Sequence, residues 1–127
     1  MKTRYAVTVG LVAGIGIGAV AVQGLHAQSN PPVYYVGEIE VTNADAYAKE
    51  YLPGAQAAIK AAGGRYLASG QATPVEGAPP ASRVILLAWD SMEALQAWRN
   101  SDTFKKGREV GGKYANFRAF AIQGKPQ

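Results

Sequence analysis

A chain of 127 residues with 48% hydrophobic and 17% charged residues is long enough for one packed domain and too short for two. Setting Lys2 and Arg4 of the N-terminal segment aside leaves 11 basic against 9 acidic residues, scattered along the chain, so no patch able to displace counterions from nucleic-acid phosphates is present. Cysteine is absent and His26 is the single histidine, which excludes disulfides, thiolate nucleophiles, iron–sulfur clusters and cysteine-bound zinc.

Residues 1–27 have the three parts of a secretory signal: Lys2 and Arg4 at the start, an uncharged stretch from Tyr5 to Val22, and a cleavage candidate at Ala27. Leu25, two residues before Ala27, is larger than the small residue preferred there. The alternative is an uncleaved anchor in the inner membrane, but Gly10, Gly14, Gly16 and Gly18 favour a cleaved signal. The expectation is an exported, periplasmic protein that meets the membrane only if the leader stays attached. Loss of His26 with the leader would remove the Ser-His-Asp mechanism, histidine-bound haem and most zinc catalysis. No metal and no cofactor are expected.

Residues 28–32 read as a linker and residues 33–124 as the folded domain. Val33 to Val41 alternates as a strand does, with Val33, Tyr35, Gly37, Ile39 and Val41 on one face and Tyr34, Val36, Glu38 and Glu40 on the other. Thr42-Asn43 offers an N-cap and Asp45 a first-turn carboxylate. Tyr47, Tyr51, Ala55, Ile59 and Ala62 form one stripe of the following helix, in which Pro53 predicts a kink or restart, and Gly63-Gly64 ends it. Arg65 to Gly70 reads as a short strand. Gln71 to Ser82 reads as a loop, with a brief extended piece near Val75. Arg83 to Trp89 is the most buried-looking strand. Asp90 is expected to open a capping box with Glu93 before a short helix carrying Met92, Leu95 and Trp98 on one face. Gly107, Gly111 and Gly112 predict a loop with short helical pieces after Ser101, and Asn116 to Gln123 is the last strand.

The order β-α-β-β-α-β predicts an α+β, ferredoxin-like plait, an antiparallel sheet with helices on one face. The uncovered face needs a partner, and a second copy stacked sheet to sheet supplies it with twofold symmetry. The segments PPVYYVGEIEVTNADAYAKEY, AAGGRYLASG and SRVILLAWDSMEALQAW resemble the domain of unknown function 1330 family. The resemblance runs from Pro32 to Gly124 and is carried by Ala44, Ala46, Tyr47 and Tyr51, by Gly63 to Leu67, and by Trp89-Asp90-Ser91. It implies a dimeric α+β barrel, hence a homodimer with a cleft between sheet and helices.

Candidate site residues follow from chemistry. Arginine inside an apolar strand needs a counter-charge, and guanidinium forks hold carboxylates or phosphates well. Arg83 and Arg108, with Tyr34, Glu38 and Trp89, are therefore the expected lining of a cleft for a small aromatic or anionic molecule. Ion pairs of the arginines with Glu38, Glu40 or Glu50 are the competing explanation, and Glu38 and Glu40 also suit a solvated or dimer-facing strand end. The aromatic-rich interior (Tyr34, Tyr35, Tyr47, Tyr51, Tyr66, Trp89, Trp98) suits a planar ligand or serves as ordinary core. No catalytic residue is assigned. Three classes of function remain: a homodimeric binding module, which leads; a cofactor-free monooxygenase or isomerase of the dimeric α+β barrel type; and a structural or stress-linked interaction protein.

Overall fold

A computed structural model describes residues 31–126. The expected leader with His26, and residues 28–30 of the expected linker, lie outside the described residues. Four strands, β1 (Val33–Val41), β2 (Arg65–Gln71), β3 (Arg83–Trp89) and β4 (Ala115–Gln123), form one sheet in the order β2-β3-β1-β4, with every neighbouring pair antiparallel. This is the α+β, ferredoxin-like arrangement expected from the chain order.

The first helical run has three parts: α1 (Ala44–Ala46), a π turn over Tyr47–Tyr51, and α2 (Leu52–Ala61). Asn43 caps α1, its side-chain oxygen accepting from the Ala46 N–H at 3.2 Å. Pro53 has no N–H for the Lys49 carbonyl, and its ring crowds that position. The chain resolves the conflict without breaking, because the widened turn lets the Leu52 N–H reach back to the Tyr47 carbonyl. The run ends on Gly63, whose φ of +96° only glycine adopts freely. Gly63 N–H donates to Lys60 O and Gly64 N–H to Ile59 O, the paired bonds of a Schellman ending. Gly64 then admits the strand against the helix, since a Cβ there would lie 2.8 Å from both Ile59 and the Trp89 ring.

Three expectations need correction. Ser91, not Asp90, caps α3 (Met92–Arg99), accepting from the Ala94 N–H at 3.1 Å; Asp90 instead accepts from Arg65. The glycines after Ser101 do not make a loop: α4 runs unbroken over Asp102–Gly111, capped by Ser101 on the Phe104 N–H. Packing outweighs the weak helix propensity of glycine here, as it often does. No strand forms near Val75, which is 96% exposed and has nothing to pair with.

The helices lie on the face formed by the odd-numbered residues of β1 and β3. Val33, Tyr35, Leu87 and Trp89 pack there with Ile59, Leu95 and Trp98, and a second cluster joins Ile39, Tyr47 and Ala115. Trp98 is the junction, stacked on Trp89 at 4.9 Å and meeting Tyr35 and Phe104 edge-on at 5.3 and 4.9 Å. The opposite face carries Phe120 and Ile122, which are 52% and 60% exposed. Among the described residues, no helix is long and apolar enough to cross a membrane.

Candidate functional site

The register of the sheet decides which charges can meet. Glu38 stands directly opposite Arg118 on β4, and both side chains lie on the face away from the helices. Arg118 donates through Nε to Glu38 Oε2 at 2.8 Å and also through Nη2, while the Ala81 N–H donates to Oε1 at 3.1 Å. These contacts, Arg118 first, hold the Glu38 carboxyl below its ordinary value against the opposing effect of burial. Arg83 pairs with Ile39 across the same sheet, so its side chain is on the helix side, out of reach of Glu38 and Glu40. The Glu38 carboxylate is therefore already engaged, by Arg118 and the Ala81 N–H.

Beneath the helices, Arg83 and Arg108 line one cleft with Tyr47, Tyr51, Tyr66 and Ser69, around a cavity of about 30 Å³. Each element supplies its part for a local reason. The π turn sets Tyr47 and Tyr51 four residues apart with their rings 5.2 Å apart, both turned to the sheet. Gly111 lets α4 approach Tyr51, because a Cβ there would lie 2.6 Å from the ring. Arg108 emerges from α4 between two phenylalanines, its guanidinium 3.8 Å from the Phe117 ring centre and 4.7 Å from that of Phe104. Arg83 reaches the cleft from the first position of β3 and donates to the Ser69 hydroxyl at 3.0 Å.

Neither arginine meets a carboxylate among the described residues, whose salt bridges are Arg65–Asp90 and Arg118–Glu38. Nε of Arg83 and Nε of Arg108 are both buried without a hydrogen-bond partner. Buried donors of this kind are costly unless something accepts from them. The tyrosine hydroxyls beside them are held neutral. Burial first, then the neighbouring Tyr51, raises Tyr47, with Arg83 and Arg108 pulling the other way. Burial likewise outweighs Arg108 at Tyr51, and it pushes Tyr66 up to about 12, helped by Tyr51 and Tyr47. At neutral pH the cleft thus presents two fixed positive charges and uncharged hydroxyls, a set suited to an anion.

Of the five residues expected to line a cleft, the fold brings together Arg83, Arg108 and Glu38. Tyr34 is an even-numbered residue of β1, on the far side of the sheet. Trp89 is fully buried in the core, stacked on Trp98. Tyr47, Tyr51 and Tyr66, expected only as an aromatic interior suited to a planar ligand or to core, join the arginines in the cleft, as does Ser69, which the sequence did not single out. The usable signal for the first two was their hydroxyls, since tyrosine on a core-facing stripe brings a polar group that needs a partner. Among the described residues, no group of three or more histidine, cysteine, aspartate or glutamate side chains is placed to hold a metal ion.

The helix-backed antiparallel sheet defines an α+β protein of ferredoxin-like type. Its sequence matches the domain of unknown function DUF1330 over residues 32–125, and the chain belongs to that family. No curated protein matches it in sequence. Solved structures share the fold at low identity. A protein of unknown function from Rhodopseudomonas palustris is 14% identical with a TM-score of 0.60, the match covering 75% of this chain and 83% of that one. SnoaB, a cofactor-independent oxygenase from Streptomyces nogalater, is 12% identical with a TM-score of 0.54 over 76% and 96% of the two chains. A conserved protein of unknown function from Bacteroides thetaiotaomicron is 11% identical with a TM-score of 0.52 over 75% and 99%.

Proposed function

We propose that this chain is an exported homodimer whose cleft binds a small organic anion, an aromatic or carboxylate-bearing molecule. The observation that carries the binding reading is the pair Arg83 and Arg108: two guanidinium groups in one cleft, each with a buried Nε that nothing accepts from, flanked by neutral tyrosine hydroxyls. A carboxylate satisfies them with charge-assisted bonds. Turnover by general base catalysis would need a proton acceptor in the cleft. Its tyrosines are shifted away from neutrality and the Glu38 carboxylate is engaged by Arg118, which favours binding over turnover. The dimer is supported by Phe120 and Ile122 on the open sheet face, and export by the signal pattern of residues 1–27.

Native mass spectrometry of freshly purified protein tests the binding reading. The expected result is a dimer retaining an acid of a few hundred daltons at most, lost in Arg83→Ala. A bare protein that no member of a carboxylate panel stabilises would leave a structural role as the better description, and oxidation or isomerisation of catechols, quinones or lactones would make it an enzyme. Intact mass from the periplasmic fraction tests export: a chain beginning at Gln28 is expected, and a full-length chain in the membrane pellet contradicts cleavage.

A further inference from the structure

A second cavity opens beside the arginine cleft, between α2 and α4, and its volume is about 140 Å³. The two share Tyr51, Ala55, Trp98 and Arg108 as a common wall. Two residues of its lining are unusual for their position. Gly54 and Gly107 both lie within helical runs, where glycine is less favourable than alanine. Helical glycines are usually explained by a neighbour packed too close for a Cβ. Here a Cβ at either position would meet nothing within 4 Å, so close packing explains neither, and what the two glycines preserve is open space.

Resting on the anion-binding reading of the adjoining cleft, we infer that the ligand is an aryl-substituted carboxylic acid: its carboxylate lies against Arg83 and Arg108, and its ring occupies the cavity between α2 and α4. The two volumes divide the molecule this way. About 30 Å³ at the arginines accommodates a carboxylate and little more. The neighbouring cavity, partly open to solvent, is close in volume to the roughly 150 Å³ that one benzene ring needs. The larger cavity is walled by Phe104, Tyr51, Trp98, Ala58 and Val110, surfaces suited to an aromatic face. Arg108 stands on the shared wall with its guanidinium over the Phe104 and Phe117 rings and with a buried Nε that nothing accepts from, a donor left for an acid held between the cavities. Glu50, on the lining of the larger cavity, repels a second carboxylate and fixes the direction of binding.

Isothermal titration of the full chain with propionate and with 3-phenylpropionate tests this, using wild type, Gly107→Leu, Gly54→Leu and Arg83→Met. In wild type, 3-phenylpropionate is expected to bind at least tenfold more tightly than propionate. A leucine at either glycine projects into the cavity, and the ratio of the two dissociation constants should fall to about one while the melting temperature stays at or above wild type, since the helix loses a glycine. Equal affinity for the two acids in wild type, or an unchanged ratio in both leucine variants, overturns the ring placement and leaves the anion reading standing. If neither acid binds wild type, the anion reading falls and the ring placement with it.

Discussion

Replacing Arg83 by methionine separates a ligand arginine from a structural one, because the two make opposite demands on the empty protein. Methionine keeps an unbranched apolar stem and removes the charge and its donors. In the empty fold the guanidinium donates to the exposed Ser69 hydroxyl and makes no ion pair with any described residue. A bond from a charged donor contributes about 1.5–3 kcal/mol net, and removing a poorly partnered charge from a partly buried place returns a comparable amount. The net change in unfolding free energy is therefore expected to lie within about 1 kcal/mol of zero, whereas breaking a buried ion pair costs about 3–5 kcal/mol. Binding should respond differently. Each charge-assisted bond to a carboxylate is worth about 1.5–3 kcal/mol, so losing even one weakens an acid at least about tenfold. Urea denaturation and titration calorimetry on the same samples read the two quantities. A loss of 3 kcal/mol or more in the empty protein, with acid affinity unchanged, would refute the assignment and place Arg83 in the framework.

Trp98→Ala, which removes the ring shared by Trp89, Tyr35 and Phe104, should cost about 3–5 kcal/mol in chemical denaturation, and a loss under 1 kcal/mol would contradict its place at the centre of the core. Because Arg118 and the Ala81 N–H depress the Glu38 carboxyl below its ordinary 4.5, the folded state binds fewer protons than the unfolded one. The resulting stability is present above that value and lost as pH falls through the depressed one, so Glu38→Gln should flatten the acid limb of the stability profile and leave the neutral limb's slope alone. Phe120→Glu combined with Ile122→Glu should turn the proposed dimer into a monomer in light scattering, since both side chains stand on the open sheet face; a dimer that persists locates the interface elsewhere.

The fold was legible because strand alternation, one stripe of helix and two glycines at its end all specify local structure. Where short-range rules competed, tertiary context decided. Asp90 and Ser91 are both good caps, and Arg65 on the adjacent strand engages the first and leaves the second for the helix. Gly107 argued against a helix by propensity, yet α4 is anchored by Phe104 and by Arg108 on Phe117, contacts no local window contains. The cleft was only partly visible for a related reason. Arg83 announced itself as a charge in an apolar strand, but its distance from Glu38 follows from strand register, which places neighbouring odd and even residues on opposite faces. Trp89 and Tyr34 illustrate the converse: aromatic character alone does not tell a core ring from a pocket wall.

Nitrogen-15 NMR of the arginine Nε–H groups during titration with 3-phenylpropionate measures anion capture at its source. Arg83 and Arg108 each carry a buried Nε without a partner, whereas Arg65 and Arg118 already have carboxylates. The expected result is that the Arg83 and Arg108 resonances shift together along one saturable curve while those of Arg65 and Arg118 stay in place. If Arg83 and Arg108 remain still at saturating acid, or all the arginines drift alike with ionic strength, the cleft is not an anion site.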